Sequence, residues 1–85
     1  MSMEHEDLFF KVRESIAAVA KRLTSEVELD HALVDDLGID SIQILELLAA
    51  LEDTFGFELD VDDIRPESFR SVQAVMHFVE RKVAS

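Results

Sequence analysis

Residues 42–55 carry two separate apolar stripes on one predicted helix, and that double patterning limits what the rest of the chain can be. At about 100° per residue, Ile44, Leu47, Leu48, Leu51 and Phe55 share one face, with the spacing of a seam buried against other helices. Ile42, Leu45 and Ala49 lie on a different face, bordered by Glu46, Glu52 and Asp53. A helix buried on all sides would not carry those acids, so the second stripe reads as a narrow exposed apolar strip with a carboxylate rim. Such a strip suits the docking of a partner, because apolar contact supplies affinity while charge sets orientation and on-rate. The competing reading is that the long loop before the helix covers this side. The strip starts next to a serine, and that contiguity favours docking.

The serine sits in Asp36-Leu37-Gly38-Ile39-Asp40-Ser41-Ile42, a turn leading straight into the helix. Gly38 relaxes the backbone, Asp40 stands where an N-cap would stand, and the Ser41 hydroxyl is left at the first helical turn. Gly56 supplies the stop at the other end.

Around this element the pattern predicts further helices. Leu8, Val12, Ile16, Val19 and Leu23 recur at helical spacing, so a core-facing helix is expected from about Glu4 to Leu23, with Lys21 and Arg22 in its last turn and Phe10 pointing away. Periodicity fades over residues 24–40, where Leu29, Leu33, Val34 and Leu37 are the expected anchors of a long polar loop. After Gly56, Phe57, Leu59, Val61 and Ile64 alternate with acids. With no second strand to pair with, an extended stretch leading into one short helical turn near Asp60 to Ile64 fits better than a strand. A last helix is expected from the N-cap Ser71 to about Val83, burying Val72, Val75, Met76, Val79 and Val83. The fold class is therefore all-α: a small four-helix bundle with a long first loop and a short third helix, forming one domain over residues 1–85.

Charge narrows the partners. Eight Lys and Arg against 19 Asp and Glu give a formal net charge of -11, which argues against nucleic acid or an anionic membrane and for a basic protein surface. The chain has no Cys, so any thiol chemistry must come from a cofactor. No apolar run approaches the ~20 residues that span a bilayer, and the start of the chain is acidic where a targeting signal would be basic. A cytoplasmic monomer is the expectation. Asp30, Asp35, Asp36 and Asp40 cluster in the loop, but counting from Asp35 sets Leu37 and Ile39 on ligand positions of a calcium loop and Asp40 on its glycine, while Asp60, Asp62 and Asp63 lack a partner ligand set, so no metal site is assigned.

What remains is the role of the serine. Nucleophilic catalysis needs a positioned base and an oxyanion hole, and the strand-elbow-helix G-x-S-x-G signature is absent. Nothing in the sequence brings His5, His31 or His77 near Ser41. The serine reads instead as a residue acted upon, since a helix N-terminus favours a phosphate-linked group.

Leu37-Gly38-Ile39-Asp40-Ser41-Ile42, followed by Glu46 and Leu47-Leu48-Ala49-Ala50-Leu51-Glu52-Asp53-Thr54-Phe55, closely resembles the acyl carrier proteins, and the likeness extends over nearly the whole chain. The resemblance implies that Ser41 carries 4'-phosphopantetheine, installed from coenzyme A by a separate phosphopantetheinyl transferase, with Asp40 assisting the transferase magnesium. It implies docking of basic patches on partner enzymes, such as a ketosynthase, an acyltransferase or an acyl- or aminoacyl-loading enzyme, at Ile42, Leu45, Glu46, Ala49, Glu52 and Asp53. It also implies a non-catalytic protein. Gln43 stands where the family often has an acid, and Ala49 is small for its position. Those departures argue against docking to the usual enzymes of a fatty acid synthase, so among polyketide, mixed polyketide-peptide and fatty acid biosynthesis the first two are favoured, and a starting Met without flanking linkers points to a discrete carrier. A stand-alone aminoacyl or peptidyl carrier of a nonribosomal pathway is the alternative, and a non-carrier helical interaction module is a further one.

Overall fold

A computed structural model describes residues 5–84, with the side chains of His5 and Glu6 left out. Three α-helices form the frame: α1 (His5–Ala20), α2 (Ser41–Phe55) and α3 (Val72–Ala84). Short 3₁₀ turns at Thr24–Glu26, Val61–Asp63 and Pro66–Phe69 punctuate the connections. Four α-helices are thus not found among the described residues: the short third helix expected near Asp60 to Ile64 is a single 3₁₀ turn, Val61–Asp63, and the Pro66–Phe69 turn after it is not among the expected elements. The described residues contain no strand, only an isolated bridge between Ala32 and Ser71.

The core is where the helical stripes meet. Leu8, Val12, Ile16 and Ala17 of α1 pack with Leu47, Leu48 and Leu51 of α2 and with Val72, Val75, Met76, Phe78 and Val79 of α3. Each fully buried side chain of this size contributes roughly 1.5–3 kcal/mol, so the shared interior holds the frame together. Ile44 and Phe55, expected within the α2 seam, are partly buried and pack against its edge. Phe78 is the centre of an aromatic cluster, with the Phe69 ring at 5.4 Å and the Phe57 ring at 5.9 Å, both edge-on.

Several expectations are corrected. Helix α1 ends at Ala20, because Lys21 adopts φ 58 and turns the chain out of the helix, so Lys21 and Arg22 are not in its last turn. Leu23 is consequently exposed instead of buried. The expected start near Glu4 and the three residues before it lie outside the described residues. In the loop, Leu33 and Leu37 are buried as expected, but Leu29 and Val34 are exposed, and Val27 and Ile39 are the other anchors. Val83 is exposed as well, being one turn past the end of the core. Phe10 and His77 are exposed, as their positions off the stripes require.

Backbone and side-chain bonds tie the long loop down. The carbonyls of Leu29 and His31 accept from the Gln73 and Val72 N–H groups at 3.0 Å each, giving otherwise orphaned donors at the start of α3 a partner. Ser71 Oγ caps the same helix by accepting from the Ala74 N–H at 3.1 Å. From the opposite side Arg13 of α1 reaches across, its Nε donating to the Val27 carbonyl at 3.0 Å and its Nη2 to the Thr24 carbonyl at 2.8 Å. The loop is therefore pinned at both ends, and it delivers the chain to the start of α2 in a fixed place.

Candidate functional site

The turn into α2 is assembled by short-range bonds. The carbonyls of Ala32, Leu33 and Val34 accept from N–H groups of residues 36–39, and Gly38 takes φ +68, a left-handed conformation that a side chain would strain. Asp36 Oδ2 closes the turn by accepting from the Ala32 N–H at 2.7 Å. Buried Leu37 and Ile39 fasten it to the core on either side of the glycine.

Asp40 then caps α2. Its Oδ1 accepts from the Gln43 N–H at 2.8 Å, and Gln43 Oε1 accepts from the Asp40 N–H at 3.0 Å, a reciprocal box that satisfies two donors at once. Gln43 does more than close the box, because its Nε2 also donates to the Val19 carbonyl of α1 at 3.0 Å. The second Asp40 oxygen makes no hydrogen bond among the described residues.

Ser41 is the first residue of α2 and is exposed. Its hydroxyl makes no hydrogen bond with any of the described residues, the imidazoles of His31 and His77 included. His31 is occupied elsewhere, its Nδ1 accepting from the Glu28 N–H at 3.1 Å. The arrangement has neither a base nor an orienting group for a nucleophilic serine. It has instead a free oxygen at the positive end of a 15-residue helix.

Of the six expected docking residues, Ile42 is 69% exposed and Leu45 58% exposed, and Glu46, Ala49 and Asp53 are exposed with them. The loop does not cover this face. Glu52 differs, since it is half-buried and its Oε2 accepts from the Leu59 N–H at 3.0 Å, anchoring the segment after α2. Beside Ser41, and sharing Leu45 with that face, an open groove of about 740 Å³ runs between α2, the long loop and the Pro66–Phe69 turn, with Val34, Ile44, Leu45, Ile64 and Phe69 as its apolar lining. Sequence reading did not find this groove, nor the Gln43 tie to α1. The position of Asp40 before the helix signals the cap, but the part of Gln43 in it is not read from the sequence, and no local pattern signals a contact between residues so far apart in the chain.

The sequence profile of the phosphopantetheine attachment site family matches residues 11–79. The acyl carrier protein of Exiguobacterium sibiricum is 36% identical over 81 residues, covering 95% of this chain and 100% of that one. This chain belongs to the acyl carrier protein family. The acyl carrier protein of Solidesulfovibrio magneticus is 38% identical over 72 residues, 85% of this chain and 90% of its own. That of Borrelia garinii is 33% identical over 84 residues, 94% of this chain and 98% of its own.

As an acyl carrier protein the chain is a non-catalytic carrier of covalently attached 4'-phosphopantetheine, and it interacts with a phosphopantetheinyl transferase and with biosynthetic enzymes. The residues present fit such a group. An unengaged hydroxyl at a helix N-terminus offers an attachment point where phosphate is favoured, and the groove beside it has room for a flexible arm. Among the described residues no helix is long and apolar enough to cross a membrane.

Proposed function

We propose that Ser41 is the attachment residue and that this chain, as one carrier domain over residues 1–85, presents an acyl intermediate to enzymes of polyketide, mixed polyketide-peptide or fatty acid biosynthesis in the cytoplasm. The observation that carries the reading is the Ser41 hydroxyl, exposed and unengaged, at the first turn of α2. When bound, the arm supplies a terminal thiol that holds the acyl group as a thioester. The chain's own residues present the oxygen and the docking face.

Asp40 stands next to the serine with one carboxylate oxygen held by the Gln43 N–H and the other without a hydrogen-bond partner among the described residues. In this reading that second oxygen joins the coordination of the transferase magnesium. Ile42, Leu45 and Ala49 provide apolar contact, while Glu46, Asp53 and, in part, Glu52 meet a basic patch on the transferase, a ketosynthase, an acyltransferase or an acyl-loading enzyme. The segment from the Val61–Asp63 turn to the Pro66–Phe69 turn stands in for the short third helix of a four-helix plan.

Incubation with coenzyme A and a broad-specificity transferase is expected to add the mass of one phosphopantetheine, and Ser41→Ala to abolish the gain. An unmodified native protein, or a modified Ser41→Ala variant, would refute the assignment.

A further inference from the structure

Helix α1 ends in a backbone conformation that strains the residue it holds. The Arg22 N–H donates to the Ala17 carbonyl at 2.9 Å and the Lys21 N–H to the Ala18 carbonyl at 3.4 Å, the paired bonds of a C-terminal cap whose left-handed position glycine usually fills. Lys21 fills it here at φ 58, the sole non-glycine residue with positive φ among the described residues. Attraction to the helix dipole accounts for cations near a helix end. It does not account for a lysine at the one position where glycine is unstrained, and such strain gathers at sites of recognition.

The turn sets Lys21, Arg22 and Leu23 in solvent, Leu23 at 69% exposure. Neither cation has an ion pair with the described residues. The stretch that follows is fixed, since Glu26 Oε1 accepts from the Leu23 N–H at 2.8 Å and Arg13 holds the Thr24 and Val27 carbonyls. The result is a preorganised knuckle of two cations and a leucine in a chain of net charge -11. It stands at the Ser41 end of the bundle, because Gln43, two residues after the serine, bonds the carbonyl of Val19, two residues before Lys21.

Enzymes that act on a finished carrier meet the far end of its arm, but the transferase must bring its active site to the Ser41 oxygen itself. A typical interface of about 800 Å² per partner is a disc roughly 16 Å in radius, so an enzyme seated over the mouth of α2 reaches the end of α1 as well. We propose that the Lys21-Arg22-Leu23 knuckle is a second docking contact for the phosphopantetheinyl transferase, taken by an acidic patch with an apolar notch for Leu23. The acids of α2 and the cations after α1 then give the transferase two contacts of opposite sign, and a partner with the reverse pattern seats in one rotational setting. The proposal rests on the reading that Ser41 accepts the arm.

Modification of the full chain by purified phosphopantetheinyl transferase from the same organism, with coenzyme A and magnesium, is followed by mass. The Lys21→Glu, Arg22→Glu variant is expected to lose about three- to tenfold in kcat/KM at low salt, through KM, with the loss shrinking as salt screens the contact. Attraction by overall charge alone predicts the opposite, since this variant makes an acidic chain more negative and should be modified faster. Leu23→Ser is expected to show a loss that salt does not change. Lys21→Gly is expected to melt no lower than the native protein, the relieved backbone offsetting the lost charge, and yet to be modified about twofold more slowly. Equal or faster modification of the Lys21→Glu, Arg22→Glu variant would overturn this contact and leave the Ser41 assignment standing. Adsorption of the native protein, but not of that variant, to vesicles of equal phosphatidylserine and phosphatidylcholine would assign the knuckle to a membrane and overturn it too. Absence of any mass gain on the native protein would overturn both readings.

Discussion

The Gln43 side-chain amide joins the start of α2 to the end of α1 by donating from Nε2 to the Val19 carbonyl at 3.0 Å, while its Oε1 closes the Asp40 cap. The Val19 carbonyl is among the last four of α1, which have no partner within their own helix. One side chain therefore serves two helix ends, and the residue it braces is the neighbour of Ser41. Gln43→Ala is expected to cost about 1–2 kcal/mol, the sum of a lost cap and a lost part-buried hydrogen bond. Gln43→Glu separates the two. Glutamate can close the box and favours the helix dipole by roughly 0.3–1 kcal/mol, but it cannot donate to Val19 and sets negative charge against a carbonyl. A net loss in urea unfolding is expected, and a Gln43→Glu protein more stable than the native one would show that the tie contributes nothing.

The carboxylate rim of α2 makes a kinetic prediction. Glu46 and Asp53 are exposed and make no ion pair among the described residues, so reversing them leaves the fold alone. If they steer a basic partner, Glu46→Lys with Asp53→Lys should lower kcat/KM for phosphopantetheinylation by about tenfold or more at low salt, and by less as salt screens the encounter. Circular dichroism should be unchanged. A salt-independent loss, or none, would remove these acids from the docking face.

The parts of this molecule legible in sequence are those made by neighbours in the chain. Gly38, Asp40 and Gly56 each impose a local conformation, so the Ser41 turn and both ends of α2 follow directly, and the i, i+3, i+4 spacing places Leu47, Leu48 and Leu51 inside. The misses have one cause. Leu23 continues the α1 stripe in sequence, but a left-handed Lys21 ends the helix first, and nothing local in a lysine announces that. Val83 continues the α3 stripe past the point where the core stops. Phe69 and Phe78 are buried by each other and by Phe57, and Arg13 finds its acceptors on the loop, through contacts that only the assembled chain creates. The Ser41 groove belongs to this second kind, since its walls come from three separate stretches.

The charge of the whole molecule predicts a dependence on ionic strength. The chain has a net charge of -11, and most of its acids fall among the described residues, whose frame measures 33 × 28 × 19 Å. At about 0.01 M salt the Debye length is about 30 Å, so acids across the molecule repel one another, whereas at about 0.15 M it is about 8 Å and only near neighbours do. Sodium chloride over that range should raise the melting temperature, and millimolar magnesium should raise it further by pairing with crowded carboxylates. A midpoint indifferent to both would show that self-repulsion is not a significant destabilising term here.

The Lys82–Asp63 pair makes a prediction with two pH limits. Lys82 Nζ lies 2.7 Å from Asp63 Oδ2 and 3.7 Å from Asp60 Oδ2, with its charge 5.9 Å from the centre of the Phe57 ring, so it latches the segment after α2 onto α3. The hydrogen bond from Lys82, helped by the Asp60 N–H at 2.8 Å and by the nearby charges of Lys82 and Arg81, holds the Asp63 carboxyl below its ordinary 3.8. The same bond to Asp63 holds the Lys82 ammonium above its ordinary 10.5, with the Asp60 charge adding to it and partial burial opposing it. A carboxyl with a lowered folded-state pKa stabilises above its unfolded value and loses that contribution as pH falls through the folded one. An amine with a raised folded-state pKa stabilises below its unfolded value and loses it as pH rises through the folded one. Lys82→Met keeps the stem against Phe57 and removes the charge, leaving Asp60 and Asp63 to repel each other. The melting-temperature difference between native protein and variant should therefore form a plateau through neutral pH. It should shrink as pH falls below about 3.8 and again as it rises above about 10.5. Protonation of the other carboxylates acts on both proteins alike and cancels in the difference. A gap that persists unchanged in acid would mean that Lys82 acts through packing alone and that the latch is not electrostatic.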